Sequence, residues 1–255
     1  AAVLVKDPRE SVGSLAGRRV ALLAHWDPDG ILDAYVRQYI AGLQALGFVV
    51  VLAAERPVFL GPDAAPGMPE GVTRRACPGY DFTSWKAAFE VLPELFQTSE
   101  LLLCNDSVFA PVGSLGALFA AMKGVDCDFW GGAESMQHKP HLPSYFLCLR
   151  SRAVASAALR EFFERVGTDP SARHAVGYEL NFSLALARQG LVPGAALPQA
   201  AHGLTESIVH YAWEPCLRAG LPFMKRNMLA ENPLRQDLGD RKNPFNRLHI
   251  NFGTP

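Results

Sequence analysis

The stretch Leu101-Leu102-Leu103-Cys104 runs without a break into Asn105-Asp106-Ser107. Four apolar residues in a row, too short for a helix of their own, describe a strand covered on both faces, as in a parallel sheet sandwiched between helices. Such sheets bind their ligands at the carboxyl ends of the strands, so a nucleotide or metal-phosphate site is expected where this strand meets its carboxylate, amide and hydroxyl. An Asx-turn, in which Asn and Asp bond their own backbone, explains the same three residues.

The rest of the chain supports that sheet. Val20 to Ala24 reads as a strand leaving into the breaker-rich turn His25-Trp26-Asp27-Pro28-Asp29-Gly30. Apolar positions 32, 35, 36, 39, 40, 43 and 46 then share one helical face, Gly47 stops the helix, and Phe48 to Ala54 form a second buried strand. This β-α-β unit predicts parallel strands joined by a right-handed crossover. Further strands are expected at Val72–Arg75, Asp126–Gly131 and Pro143–Leu149. Helices are expected from Phe82 to before Pro93 and over Ser114–Met122, Ala153–Val166, Gly177–Gln189 and Tyr211–Arg218. Residues 1–18 read as an irregular lead-in, 19–235 as a single domain, and 236–255 as a tail packing on that domain.

Composition narrows the functional classes. A chain of 255 residues with 49% hydrophobic and 19% charged residues is an ordinary globular protein with a substantial core. A net charge of -1 gives no field for nucleic acid or anionic lipid. No apolar run is long enough to cross a bilayer, and nothing resembles a signal peptide. The five cysteines (Cys77, Cys104, Cys127, Cys148 and Cys216) are odd in number and scattered, which suits a reduced cytoplasmic protein better than a disulfide frame or a zinc site. No Gly-x-Gly-x-x-Gly, P-loop or Gly-x-Ser-x-Gly motif is present, which argues against dehydrogenases, nucleotide triphosphatases and α/β-hydrolases.

Several residues have the chemistry of a site, each with a plainer explanation beside it. His25 and Asp27 suit a ribose or base contact, or two ligands of a metal-dependent hydrolase completed by Asp106; turn chemistry accounts for Pro28, Asp29 and Gly30 but not for His25-Trp26. Asp81 is a natural helix N-cap, and Lys86 one turn later is placed for a phosphate. Asp128-Phe129-Trp130-Gly131-Gly132 suits a sugar platform, although buried Phe and Trp are more often core. Glu179 opens a helix, where a carboxylate favours the macrodipole and is also a natural general base. His202, His210 and His249 carry no pattern that marks them as ligands.

Taken together, the blocks Ala24-His25-Trp26-Asp27, Gly79-Tyr80-Asp81-Phe82-Thr83-Ser84-Trp85-Lys86, Leu103 to Pro111, Cys127 to Gly131, Ser144-Tyr145-Phe146-Leu147, Pro222-Phe223-Met224-Lys225 and Asn232-Pro233 resemble the rhamnan synthesis protein F family of bacterial polysaccharide glycosyltransferases, in the family's order, over about residues 20–235. The resemblance implies an α/β fold with a GT-A-like, Rossmann-type, mostly parallel sheet flanked by helices. It implies transfer of a sugar, rhamnose above all, from dTDP- or GDP-rhamnose to a growing glycan or lipid-linked glycan, with inversion, in the cytoplasm or at the inner face of the membrane. His25, Asp27, Tyr80, Asp81, Lys86, Asn105, Asp106 and Ser107 are then expected at the donor, Trp130, Glu134 and Tyr145 at the acceptor, and Glu179 as the base, with Asp128 and Glu134 behind it. The chain departs from the family in two places. Cys77-Pro78 precedes Gly79-Tyr80-Asp81 where the family has an Asn, and Asn105-Asp106-Ser107 stands where many GT-A enzymes have Asp-x-Asp. Asp106 is thus the lone carboxylate there for a Mn or Mg ion. The competing classes are the hydrolase on His25, Asp27 and Asp106, and a non-catalytic sugar-nucleotide-binding domain working beside other domains of a larger synthase.

Overall fold

A computed structural model describes residues 2–59, 66–75, 79–167, 175–198, 209 and 213–230. Its strands are β1 (Ala2–Lys6), β2 (Arg19–His25), β3 (Phe48–Ala54), β4 (Gly71–Arg75), β5 (Glu100–Asn105), β6 (Val108–Phe109), β7 (Phe129–Ala133), β8 (Phe146–Arg150), β9 (Pro193–Leu197) and β10 (Met224–Lys225). The helices are α1 (Arg9–Val12), α2 (Ala34–Gln44), α3 (Asp81–Val91), α4 (Leu115–Met122), α5 (Ser151–Val154), α6 (Ala157–Arg165), α7 (Ala175–Arg188), α8 (Trp213–Arg218) and α9 (Arg226–Ala230). Eight strands form one sheet in the order β1-β4-β3-β2-β5-β8-β7-β9, and β10 and β6 form a separate two-stranded ribbon.

The β2–α2–β3 unit is parallel as expected, and β2 is also parallel to β5 on its other side. Alternation along these strands divides the core. Val20, Leu22, Val51, Leu101 and Leu103 face one layer with Phe82, Trp85, Phe163 and Phe182. Ala21, Leu23, Val50, Leu52, Leu102 and Cys104 face the other with Val36, Tyr39, Ile40 and Leu43. Both faces are therefore dry, which is why the strands are unbroken apolar runs. On the first face Phe82 is a hub: its ring lies 4.9 Å from Trp85, 5.7 Å from Phe162 and 5.8 Å from Phe182.

Several expectations need correction. The lead-in holds β1, antiparallel to β4 at the edge of the sheet, and the short helix α1. Its signal is a period-two pattern in which Leu4 is half-buried while Val3 and Val5 are 44% and 54% exposed. The helix expected over Ala153–Val166 is two helices, because Ser156 interrupts it. The Ser156 hydroxyl donates to the Ala153 carbonyl and accepts from the Leu159 amide, closing α5 and capping α6. Strand β9 and the β6–β10 ribbon carry too little periodicity to be read beforehand. The 236–255 tail, Cys77, His202, His210, His249 and Asn232-Pro233 lie outside the described residues. Among the described residues Cys104, Cys127 and Cys148 are free and buried, Cys216 is buried too, and no helix is long and apolar enough to cross a membrane.

Because Phe82 binds three helices to one face of the sheet, Phe82→Ala is expected to lower unfolding stability by about 3–5 kcal/mol, read as a fall in the urea midpoint. A cost under about 1 kcal/mol, the size of a surface change, would show that this aromatic cluster does not carry the layer.

Candidate active site

The chain runs outward from β2 through β3 to β4, then returns to lay β5 on the other side of β2. The chain thus leaves β2 towards one side of the sheet and β5 towards the other, a topological switch point of the kind at which open α/β sheets bind ligands. Register decides what stands there. Ala24 pairs with Asn105, and the Asp106 amide donates to the Ala24 carbonyl at 3.2 Å. His25 and Asp106 are therefore side by side, with His25 Nδ1 and Asp106 Oδ2 2.7 Å apart and both residues buried. The other ring nitrogen of His25 faces the Ile31 carbonyl at 3.2 Å, and the Trp26 amide also donates to Asp106 Oδ2, at 3.3 Å.

A second chain of bonds crosses the crevice. The Asn105 amide donates to Asp81 Oδ2 at 2.6 Å, and the Asn105 carbonyl oxygen accepts from the Ser107 hydroxyl at 2.6 Å. Asp81 is free for this because it does not cap its helix: Thr83 Oγ1 accepts the Tyr80 amide at 3.0 Å in that role. Gly79 makes room, since a Cβ there would lie 2.2 Å from Thr83 Oγ1. Burial raises the Asp81 carboxyl; the Asn105 bond and the Lys225 charge oppose this, the Asp106 and Glu179 charges add to it, and the result is about 6.

The cations come from far along the chain. The β6–β10 ribbon sets Lys225 opposite Val108. From there Lys225 Nζ donates to Ser107 Oγ at 3.1 Å and sits 4.9 Å over the Tyr145 ring. Arg226 donates to the Asp106 carbonyl at 3.2 Å, with its guanidinium 5.1 Å over the Tyr35 ring. Glu179 reaches the same edge from α7. Its Oε2 accepts the Ser144 amide at 2.8 Å, and His141 Nε2 lies 3.4 Å from its Oε1. Burial pushes the Glu179 carboxyl up, but the bonds from His141 and Ser144, with the Lys225 charge, outweigh it and hold it at about 2. The fold therefore holds the Glu179 carboxyl low, away from the pH at which a general base works best.

The remaining expected residues scatter. Asp27 turns into its own loop, where Oδ1 accepts the Asp29 and Ile31 amides at 2.9 Å each. Lys86 ties α3 to the end of α6 through the Glu164 and Val166 carbonyls, at 3.2 and 2.7 Å, and meets no crevice. Tyr80 is 52% exposed at the rim. Trp130 is core, its ring 5.2 Å from Phe119 and 5.3 Å from Phe146. Tyr145 is also buried, forming the floor under Lys225. Glu134 follows β7 and is half-buried, its amide bonded to the Leu197 carbonyl. Asp128 lies at the opposite edge of the sheet, engaged with Arg152 and the Val192 amide. Asp106 Oδ2 is committed to His25 and Trp26, and among the described residues no group of three or more His, Cys, Asp or Glu side chains is arranged to hold a metal. The same commitments leave the His25–Asp27–Asp106 hydrolase without a triad. Lys225, Arg226 and His141 were not picked out by sequence reasoning; the one signal for Lys225 is its place in Pro222-Phe223-Met224-Lys225.

The sequence profile described as rhamnan synthesis protein F matches residues 67–242 of the chain. Compared with curated protein sequences, the chain has no significant match. Among solved structures it resembles the glycosyltransferase GlyE of Streptococcus pneumoniae TIGR4, with a TM-score of 0.47 and 10% identity over 92% of this chain. The apo form of GlyE gives a TM-score of 0.41 and 11% identity over 82% of this chain. The chain spans 60% and 54% of the lengths of those two structures. Both likenesses are too distant to carry any residue role.

The Glu179 environment has a consequence for acid stability. A carboxyl at about 2 when folded, against 4.5 when free, stabilises the fold fully above pH 4.5 and loses that contribution as pH falls towards 2. The contribution is on the order of 3 kcal/mol. Glu179→Gln should therefore show a shallower loss of stability than the wild type between those pH values in urea titrations. Parallel acid profiles would show that Glu179 is not held in this way.

Proposed function

The chain is a member of the rhamnan synthesis protein F family, and on that premise we propose that it is a glycosyltransferase moving rhamnose from dTDP- or GDP-rhamnose onto a growing bacterial polysaccharide with inversion at the anomeric carbon. One observation carries the reading: the switch-point crevice is lined by a connected polar network of His25, Asp106, Asn105 and Asp81, and the β6–β10 ribbon brings two cations onto it. Transfer from a nucleoside diphosphate needs positive charge where the leaving phosphate oxygens develop theirs. Arg226, with 40% of its side chain exposed beside Asp106, is the group for that task, and a guanidinium fork matches phosphate oxygens well. His25 and Asp106 hold the crevice in shape. Glu179, locked by His141 and Ser144, orients the acceptor side. The buried free thiols of Cys104, Cys127 and Cys148 suit work in the cytoplasm, on a glycan or lipid-linked acceptor at the inner membrane face and beside other domains of a larger synthase.

Calorimetry against dTDP, GDP and their rhamnose conjugates tests the donor class. Arg226→Ala is expected to weaken nucleotide-diphosphate binding by about tenfold or more, as loss of a charge-assisted hydrogen bond implies, with the thermal midpoint unchanged. Asp106→Asn should keep the fold and lose transfer. Failure of the wild type to bind any of these nucleotides would sink the reading.

A further inference from the structure

Three charged side chains from distant parts of the chain meet at the crevice without touching. Asp81 opens α3, Glu179 lies in α7 and Lys225 ends β10. Each carboxylate acts on the Lys225 charge, yet among the described residues the only hydrogen bond of Nζ goes to Ser107. An ammonium has three donors, so two are left without a protein partner among the described residues. The two acids are not equivalent. Glu179 has both oxygens engaged, by Ser144 and His141. Asp81 uses only Oδ2, towards Asn105. Its Oδ1 has no partner among the described residues.

An ammonium with spare donors beside a carboxylate oxygen with no donor is the setting that a hydroxyl completes, accepting from the one and donating to the other. We propose that Asp81, rather than Glu179, is the catalytic base, and that Lys225 is the positioning residue that holds the acceptor hydroxyl against it. This rests on the glycosyl-transfer reading above. In the step, the acceptor oxygen bonds to the anomeric carbon and its proton passes to Asp81 Oδ1. The anomeric carbon–oxygen bond breaks at the same time, its electron pair leaving on the nucleoside diphosphate beside Arg226. Glu179 suits this less well because each of its oxygens already faces a donor.

The groups facing Asp81 are Asn105 and Asp106 from the end of β5, Glu179 from α7 and Lys225 from β10. His25 on β2 is turned to Asp106, and Arg75 on β4 is engaged by Ser84 and Glu55. Burial and the two acids lift the Asp81 carboxyl to about 6, against the pull of Asn105 and Lys225. That places it close to working pH, where a base is most effective.

The test measures transfer from dTDP-rhamnose and GDP-rhamnose to an octyl rhamnoside acceptor across pH, with nucleotide binding measured in parallel. Wild-type kcat/KM should fall on the acid side with a midpoint near the Asp81 value of about 6. Asp81→Asn should bind nucleotide normally and transfer about 10²–10⁴ times more slowly. Lys225→Met should stay measurably active with its acid limb moved to higher pH, because the cation that lowers the Asp81 pKa is gone; a purely structural lysine would not move that limb. Should Asp81→Asn fail to fold, Asp81→Glu and the Lys225→Met limb decide: the glutamate variant must retain an acid limb of its own. Near wild-type transfer by Asp81→Asn, or an identical limb in Lys225→Met, overturns the assignment while leaving glycosyl transfer intact. A wild type that neither binds these nucleotides nor transfers removes both.

Discussion

The in-register parallel pairing of β2 with β5 is the constraint on which the site depends. It is a backbone interaction, with no chemistry of its own, but it brings His25 and Asp106 together across 81 residues of sequence. A slip of one residue would turn His25 to the other face of the sheet and break the bond to Asp106. Each strand divides its side chains between two separately packed layers, so a slip would have to repack both.

The site is assembled as much by charge balance as by the sheet. Asp81, Asp106 and Glu179 converge from three elements, and so many carboxylates in a half-buried crevice would repel one another without nearby cations. Lys225 and Arg226 answer that, delivered by a ribbon only two residues long on each strand. So short a ribbon has little stability of its own. It is held by Phe223 and Met224, which are buried in two core clusters. Packing in the second layer thereby fixes the electrostatics of the crevice.

One cavity lies away from this crevice. About 530 Å³ in volume, it opens between Arg19, Glu100, Lys123 and Arg150 at the opposite edge of the sheet. Its two arginines are already engaged: Arg19 with Glu100 and the Leu46 carbonyl, Arg150 with three carbonyls around α4 and β7. Strand ends and α4 line it. The polar network of His25, Asp106, Asn105 and Asp81 lies instead at the carboxyl edge, where open α/β sheets bind ligands.

The strands from β2 to β5, the helices α2, α3 and α4, the parallel β-α-β unit and the polar end of β5 were legible in the sequence, because hydrophobic periodicity and capping are local signals. Trp130, expected at the acceptor, is core instead. The sequence could not decide which of its carboxylates are free. Glu179 looks like a base from its place at a helix start, but His141 and Ser144, more than thirty residues away, close over it. Asp81 looks like a cap, but Thr83 takes that task and leaves its carboxylate to the crevice. Lys86 looks like a phosphate ligand, but it is spent on the carbonyls of α6. Local patterning fixed the elements and the edge at which the chemistry lies. Only tertiary packing decided which side chains at that edge have hydrogen-bonding capacity to spare, because that depends on donors and acceptors brought from remote parts of the chain.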